Sequence, residues 1–297
     1  MEETAENKNK KPKIGFIGQG WLGKNYADDF ERREFEVVRY SKEPEYSGTA
    51  DQIQYCDIVF IAVPTPTTPQ GFDGSILPKV LPHVGKGKTA VIRSTLKPGT
   101  TKELQKQFPD IFIFHAPEFL AEKTAAQDAA HPKRNIIGMP EHTPEFRERA
   151  QRVMDILPEA PYQIITGSTE AELIKYGGNS FLFFKVLFAN IMYEFAEKLG
   201  ADYEVVRETM AADPRIGPSH LKVIDESGHP GSIPGRGAGG HCLIKDFAVL
   251  SEMYRELGGD EEGVRLLEAF EKKNAKLLRE TGKDLDLLEG VYGKVDA

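Results

Sequence analysis

Ile14-Gly15-Phe16-Ile17-Gly18-Gln19-Gly20-Trp21-Leu22-Gly23 is the stretch whose reading decides the fold. A short apolar run leads into a GxGxxG turn, and the chain beyond it reads as a helix, the context that separates this pattern from a stray glycine-rich bend. Gly18 allows the tight turn, Gly20 lets a pyrophosphate approach the backbone, and Gly23 permits close helix–strand packing. The free N–H groups at the helix start, over Trp21 and Leu22, hold the anion.

Working outward, apolar runs at Glu36–Tyr40, Ile58–Val63, Ala90–Ser94, Ile111–His115 and Asn135–Gly138 alternate with helical or polar stretches. Alternation of this kind predicts an α/β fold with a doubly wound parallel sheet of Rossmann type, covered on both faces. That domain is expected over residues 13–167, after a polar, disordered tail at 1–12. From Ser168 the character changes: a hydroxyl to cap, an acid in the first turn, then apolar residues to Leu199 and a stop at Gly200. The remainder, 168–297, reads as a mainly α-helical domain built on this one long central helix. Gly263–Leu278 is an amphipathic helix, and Arg279–Ala297 reads as a polar terminal stretch. Between Arg215 and Gly240 runs a loop rich in Gly, Pro, Ser and His, long enough to suggest function.

Length and composition agree. The 297 residues suggest about two domains. With 38 Lys and Arg against 46 Asp and Glu, the net charge of −8 argues against a nucleic-acid partner. Two cysteines cannot build a disulfide framework. The most apolar stretch, Phe181–Phe195, is broken by Lys185, Asn190 and Glu194, short of the ~18 apolar residues of a membrane span. No membrane partner and a cytoplasmic location are therefore expected, with free thiols.

Three further places carry chemistry. At the end of the second strand, where an acid usually bonds the ribose 2′-hydroxyl, stand Ser41 and Lys42. NAD is the expected cofactor, with NADP open because that pair could take a 2′-phosphate. Equally, Lys42 is a solvated residue and Glu43 or a backbone group takes the ribose. Lys175 and Asn179 lie four apart on the long helix and share a face, where a cation and an amide can steady an alkoxide. Finally, Gly239-Gly240-His241-Cys242 precedes Lys245-Asp246. A helix beginning at Cys242 would favour its thiolate, with Asp246 on the same face. Cys56, by contrast, reads as a small buried hydrophobe. No metal set is evident.

Taken together, the ordered motifs resemble the nucleotide-sugar 6-dehydrogenase family, which oxidises UDP-glucose and GDP-mannose. The resemblance rests on Gly18–Gly23, Phe60–Pro66, Ser94–Thr101, Ala116–Glu122, Glu172–Lys175 with Asn179, Asp213–Gly217, and Gly239–Asp246. It implies oxidation of a sugar 6-hydroxymethyl to a carboxylate by two hydride transfers. It further implies that Lys175 and Asn179 stabilise oxyanions, that Cys242 forms the thiohemiacetal and thioester, and that Glu118, Asp246 and Thr95 manage the hydrolytic water. Cofactor contacts would come from Val63, Pro64, Thr65 and Thr95, and substrate contacts from Glu118, Phe119, Leu120, Arg215 and Gly239. A homodimer through the long helix is implied, as is a short form lacking the nucleotide-binding third domain. Two other readings stay open: a two-electron β-hydroxyacid-type dehydrogenase, and a non-catalytic dinucleotide-binding dimerisation module.

Overall fold

A computed structural model describes residues 11–293 of the chain, so most of the tail expected at 1–12 lies outside the described residues. In chain order the elements are β1 (Ile14–Ile17), α1 (Trp21–Arg32), β2 (Val37–Tyr40), β3 (Ile58–Ile61), β4 (Thr67–Thr68), β5 (Gly71–Phe72), α2 (Leu77–Val80), β6 (Thr89–Ile92), α3 (Thr100–Gln107), β7 (Phe112–His115), α4 (Ala125–Ala130), β8 (Arg134–Met139), α5 (Pro144–Ile156), β9 (Tyr162–Gly167), α6 (Ser168–Leu199), α7 (Tyr203–Ala212), α8 (Gly240–Glu256), α9 (Glu261–Thr281) and α10 (Leu285–Tyr292). Two compact units result. One runs to Thr65 and resumes over Gly74–Lys175; the other joins Pro66–Asp73 to the chain from Tyr176 onward. Their division falls inside α6, not at its first residue.

The first unit holds a seven-stranded sheet in the order β2-β1-β3-β6-β7-β8-β9. Every residue of β1, β3 and β6 is buried, which is why these runs are continuously apolar rather than alternating. From β2 to β7 the ladders are parallel. β8 runs antiparallel to β7, and β9 then pairs parallel with β8. The expected parallel sheet is thus found with one antiparallel ladder, which the sequence does not mark because burial on both faces writes the same apolar run for either strand direction. With β1 between β2 and β3, the crossovers leave in opposite senses, and the ends of β1 and β3 form the switch point at which open α/β sheets bind ligands. Beneath it Phe16, Phe30 and Phe60 pack together, Phe16 stacking on Phe60 at 5.2 Å.

The second unit is built on α6. Phe183 and Leu187 meet Phe247 of α8 and Leu267 and Leu277 of α9, with Phe183 stacked on Phe247 at 3.9 Å. Nearer its C-terminal end, Ala189 and Ala196 pack against Tyr203, Leu221 and Val223. Ser168 is buried with an unpartnered hydroxyl, so it does not cap α6 as expected. It is the first helical residue, one position too late to receive the next turn's N–H groups. The polar stretch expected after Leu278 is also corrected: α9 continues to Thr281, turns at Gly282 with φ +71°, and α10 follows. Among the described residues no helix is long and apolar enough to cross a membrane.

Candidate active site

The glycine turn has the geometry that its spacing demands. Gly18 adopts φ +93°, and a Cβ there would stand 2.2 Å from the Ala62 carbonyl oxygen; at Gly23 it would stand 2.0 Å from that of Gly18. A Cβ on Gly20 would meet nothing within 4 Å. Gly20 precedes α1 in extended conformation without a side-chain cap, so that residue supplies no acceptor to the first-turn N–H groups. An anionic pyrophosphate fits such a cradle. The loop after β3 is fastened to the loop after β6: Val63 N donates to Ser94 Oγ at 3.0 Å, and Thr65 Oγ1 to the Thr95 carbonyl at 2.9 Å. Pro64 lies between them.

In the same unit Lys175 and Glu118 form a buried ion pair. Lys175 Nζ donates to the Glu118 carbonyl at 2.7 Å and to Oε1 at 3.1 Å, while Glu118 Oε2 accepts the Leu120 N–H at 2.8 Å. Only 4 % of Lys175 and 6 % of Glu118 is exposed. Phe119 lies 5.4 Å from Lys175 Nζ and carries the Arg134 guanidinium on its ring. Glu172, one turn before Lys175, accepts the N–H groups of Gly99 and Thr101 and the Thr101 hydroxyl, tying α6 to the start of α3. His115 ends β7 fully buried, and burial lowers its pKa to about 3, so the imidazole stays neutral.

Within the second unit Asn179 Nδ2 donates to Asp246 Oδ2 at 2.5 Å, and Lys245 pairs with the other oxygen of that fully buried carboxylate. α8 begins at Gly240, two residues before the expected start, so Cys242 sits half-buried in its first turn. Arg215 is exposed and paired with Asp213 at 2.6 Å. Arg236, readable from sequence as solvated or as a phosphate ligand, donates to Asn190 Oδ1 and pairs with Glu194 of α6. Among the described residues no cluster of three or more His, Cys, Asp or Glu is arranged to hold a metal ion.

Sequence reasoning missed what holds the glycine loop ahead of Cys242. Asn274 of α9 exchanges two hydrogen bonds with the backbone of Ala238, Lys283 Nζ donates to the carbonyls of Gly235 and Gly237, and Asp284 Oδ2 accepts Gly240 N at 2.7 Å. A Cβ on Gly239 would stand 2.1 Å from Asp284 Oδ2, so a larger residue there would displace that carboxylate. Asn274 did leave a signal, as a lone amide within the apolar stripe of Leu267, Phe270, Leu277 and Leu278.

Asp284 also accepts from the Ser227 hydroxyl and pairs with His229 Nε2 at 3.0 Å. Burial works against both charges, but the Ser227, Gly240 and His229 hydrogen bonds hold Asp284 below its ordinary 3.8, and Asp284 lifts His229 above 6.5. The His229 contribution to stability is complete below pH 6.5 and fades as pH rises through its raised folded value. That of Asp284 is complete above 3.8 and fades as pH falls through its lowered one. Asp284→Asn is therefore expected to lower the melting temperature most between about pH 4 and 6.5, with a narrowing gap above. Thermal unfolding across pH checks this; a gap that widens toward pH 9 contradicts it.

Comparison with known proteins bears on both units. The model of the NAD-binding domain of the UDP-glucose/GDP-mannose dehydrogenase family matches residues 39–157, and the model of the same family's central domain matches residues 169–276. A UDP-glucose 6-dehydrogenase of Rickettsia bellii is 30 % identical over 234 residues, covering 75 % of this chain and 50 % of that protein. The chain spans about half the length of the curated relatives it matches. Among solved structures, a UDP-glucose dehydrogenase from Pyrobaculum islandicum superposes with a TM-score of 0.76 at 24 % identity, covering 94 % of this chain and 72 % of that one. A 3-hydroxyisobutyrate dehydrogenase from Mycobacterium tuberculosis gives 0.69 at 16 % identity, covering 95 % and 99 %. At these identities the structural likenesses carry the fold.

Proposed function

The chain belongs to the UDP-glucose/GDP-mannose dehydrogenase family, and on that premise we propose that it oxidises the 6-hydroxymethyl group of a nucleotide sugar, UDP-glucose first among candidates, to a carboxylate. A nicotinamide dinucleotide, when bound, would accept the hydride, one molecule for each of the two oxidations. Lys175 and Asn179 donate to the alkoxide and later oxyanion oxygen as charge develops there. Cys242 Sγ adds to the aldehyde carbon, giving a thiohemiacetal that loses hydride to become a thioester. Glu118, Asp246 and Thr95 position and deprotonate the water that releases the acid and returns the thiol.

The observation that carries this reading is Cys242, a partly accessible thiol in the first turn of α8, at the positive end of the helix dipole. Two-electron oxidation of an alcohol has no use for a nucleophile; carrying the same carbon to an acid needs one or a hydrated aldehyde. The deciding experiment is the stoichiometry of dinucleotide reduction with UDP-glucose. Two reduced per sugar are expected. One per sugar, or undiminished turnover of a simple hydroxy acid, would favour the two-electron reading.

The same proposal makes the protein a homodimer through α6. Phe181, Phe188 and Phe195 are 65 %, 51 % and 58 % exposed and recur every seven residues, which returns them to one face of the helix. An aromatic stripe of that kind on a helix is an interaction surface. Phe188→Glu is expected to convert dimer to monomer in sedimentation, without a change in helical content. A dimer that survives this substitution places the interface elsewhere.

A further inference from the structure

We propose that Asp284 and His229 are positioning residues for the Cys242 nucleophile: the carboxylate caps α8 from outside the helix, and the histidine offsets its charge so that the helix terminus can favour the thiolate. This rests on the nucleophile reading above and concerns only what sets the reactivity of the sulfur. Helix α8 has no cap of its own. Its N-cap is Gly239, which has no side chain to offer, and no acid stands in its first turn. The acceptor comes instead from the turn between α9 and α10, where Asp284 Oδ2 accepts the Gly240 N–H at 2.7 Å, two residues ahead of Cys242. Asp284 is 5 % exposed and adopts φ +50°, a left-handed conformation that aspartate and asparagine tolerate better than most residues. A bare carboxylate there would work against Cys242, because a negative charge at the helix start cancels the partial positive charge that favours a thiolate.

His229 removes that conflict. Its Nε2 faces Asp284 Oδ1 at 3.0 Å and its Nδ1 faces the Pro230 carbonyl at 3.1 Å, so both ring nitrogens meet acceptors, and only the imidazolium can donate to both. The charged ring makes the pair neutral, whereas the neutral ring leaves the carboxylate's charge on α8. The surrounding cations are engaged elsewhere: Lys283 turns its ammonium to the carbonyls of Gly235 and Gly237, Lys245 pairs with Asp246, and Lys222 pairs with Asp225. Asp286 of α10 adds its own attraction for the His229 proton. His241, in the first turn of α8, meets the His229 ring at 5.1 Å between centroids and is the other histidine whose charge could reach Cys242.

Alkylation of Cys242 by iodoacetamide, followed by intact mass from about pH 6 to 9 on the full chain, reads the thiolate without turnover. Each variant is measured at a temperature where it is folded. His229→Gln leaves the carboxylate bare; it is expected to slow alkylation about three-fold near pH 6, where the wild-type ring is charged, and to rejoin the wild type toward pH 9. Asp284→Asn keeps an acceptor for the Gly240 N–H and a residue suited to left-handed φ, but loses the charge. It should match the wild type near pH 6 and react about three-fold faster near pH 8, the scale of one charge at a helix end. A purely structural role would shift both profiles the same way at every pH. Profiles that coincide with the wild type, shifts of one sign in both variants, or a loss near pH 6 that follows His241→Gln in place of His229→Gln overturn the proposal. Failure of the nucleophile reading itself is a distinct result, seen in the product formed by Cys242→Ser.

Discussion

Cys242→Ser is expected to stop the reaction at the aldehyde, with one dinucleotide reduced per sugar and acid formation slowed by roughly a thousand-fold or more, the scale on which loss of an essential nucleophile is felt. The first hydride transfer asks nothing of the sulfur, so alcohol oxidation should persist while the carboxylate disappears; mass spectrometry of the product and the reduction stoichiometry measure the two separately. The structure also makes the thiol addressable. Cys56 is fully buried, and burial pushes its pKa up to about 11, whereas Cys242 is partly accessible. Iodoacetamide near pH 8 should therefore alkylate Cys242 alone and block acid formation in step with labelling. Full four-electron turnover by Cys242→Ser, or by protein quantitatively alkylated at Cys242, would remove the thiol from the mechanism.

Much of this was legible because the informative features are local. The turn at Gly18–Gly23 needs only its neighbours, and α6 was readable from Ser168 to Leu199 because a long apolar stretch with an acid in its first turn and Gly200 behind it has few other readings. Elements whose identity depends on distant partners were not. β4 and β5 are two residues each, too short for any period. β9 carries Gln163 and Thr166 in a half-exposed strand, so it lacks the apolar run by which the others were found. α10 is eight residues containing Gly290, below the length at which a helical period declares itself.

The site divides in the same way. Cys242, Asp246, Lys175 and Glu118 stand out by residue type and motif, but no local pattern says that Glu118 meets Lys175 57 residues later, or that Asp284 accepts the N–H of Gly240. Arg236 could be read from its glycine loop as solvated or as a phosphate ligand, and neither reading names its partners, Asn190 and Glu194, which lie more than forty residues earlier on α6. Such long-range polar pairs are specified by packing, and packing is not written at any one position.

The Lys175–Glu118 pair gives the second large effect, because both charges are almost wholly removed from water. Lys175→Met keeps the length of the side chain but leaves the Glu118 carboxylate without its cation. Breaking a buried pair from one side costs about 3–5 kcal/mol, which at ~2–4 °C per kcal/mol for a domain of this size is a fall of roughly 10 °C in the melting transition of the first unit. Lys175→Met with Glu118→Gln removes both charges, and should recover most of that stability, since the penalty is the orphaned carboxylate rather than the lost attraction. Activity should not follow. Loss of a cation that donates to the developing oxyanion is expected to lower kcat by about 10²–10³, in the double variant as in the single one, measured well below the transition where both are folded. Stability restored while kcat stays depressed assigns the pair to the chemistry, with Glu118→Gln alone measuring that residue's share; if kcat returns with stability, the pair serves the fold alone.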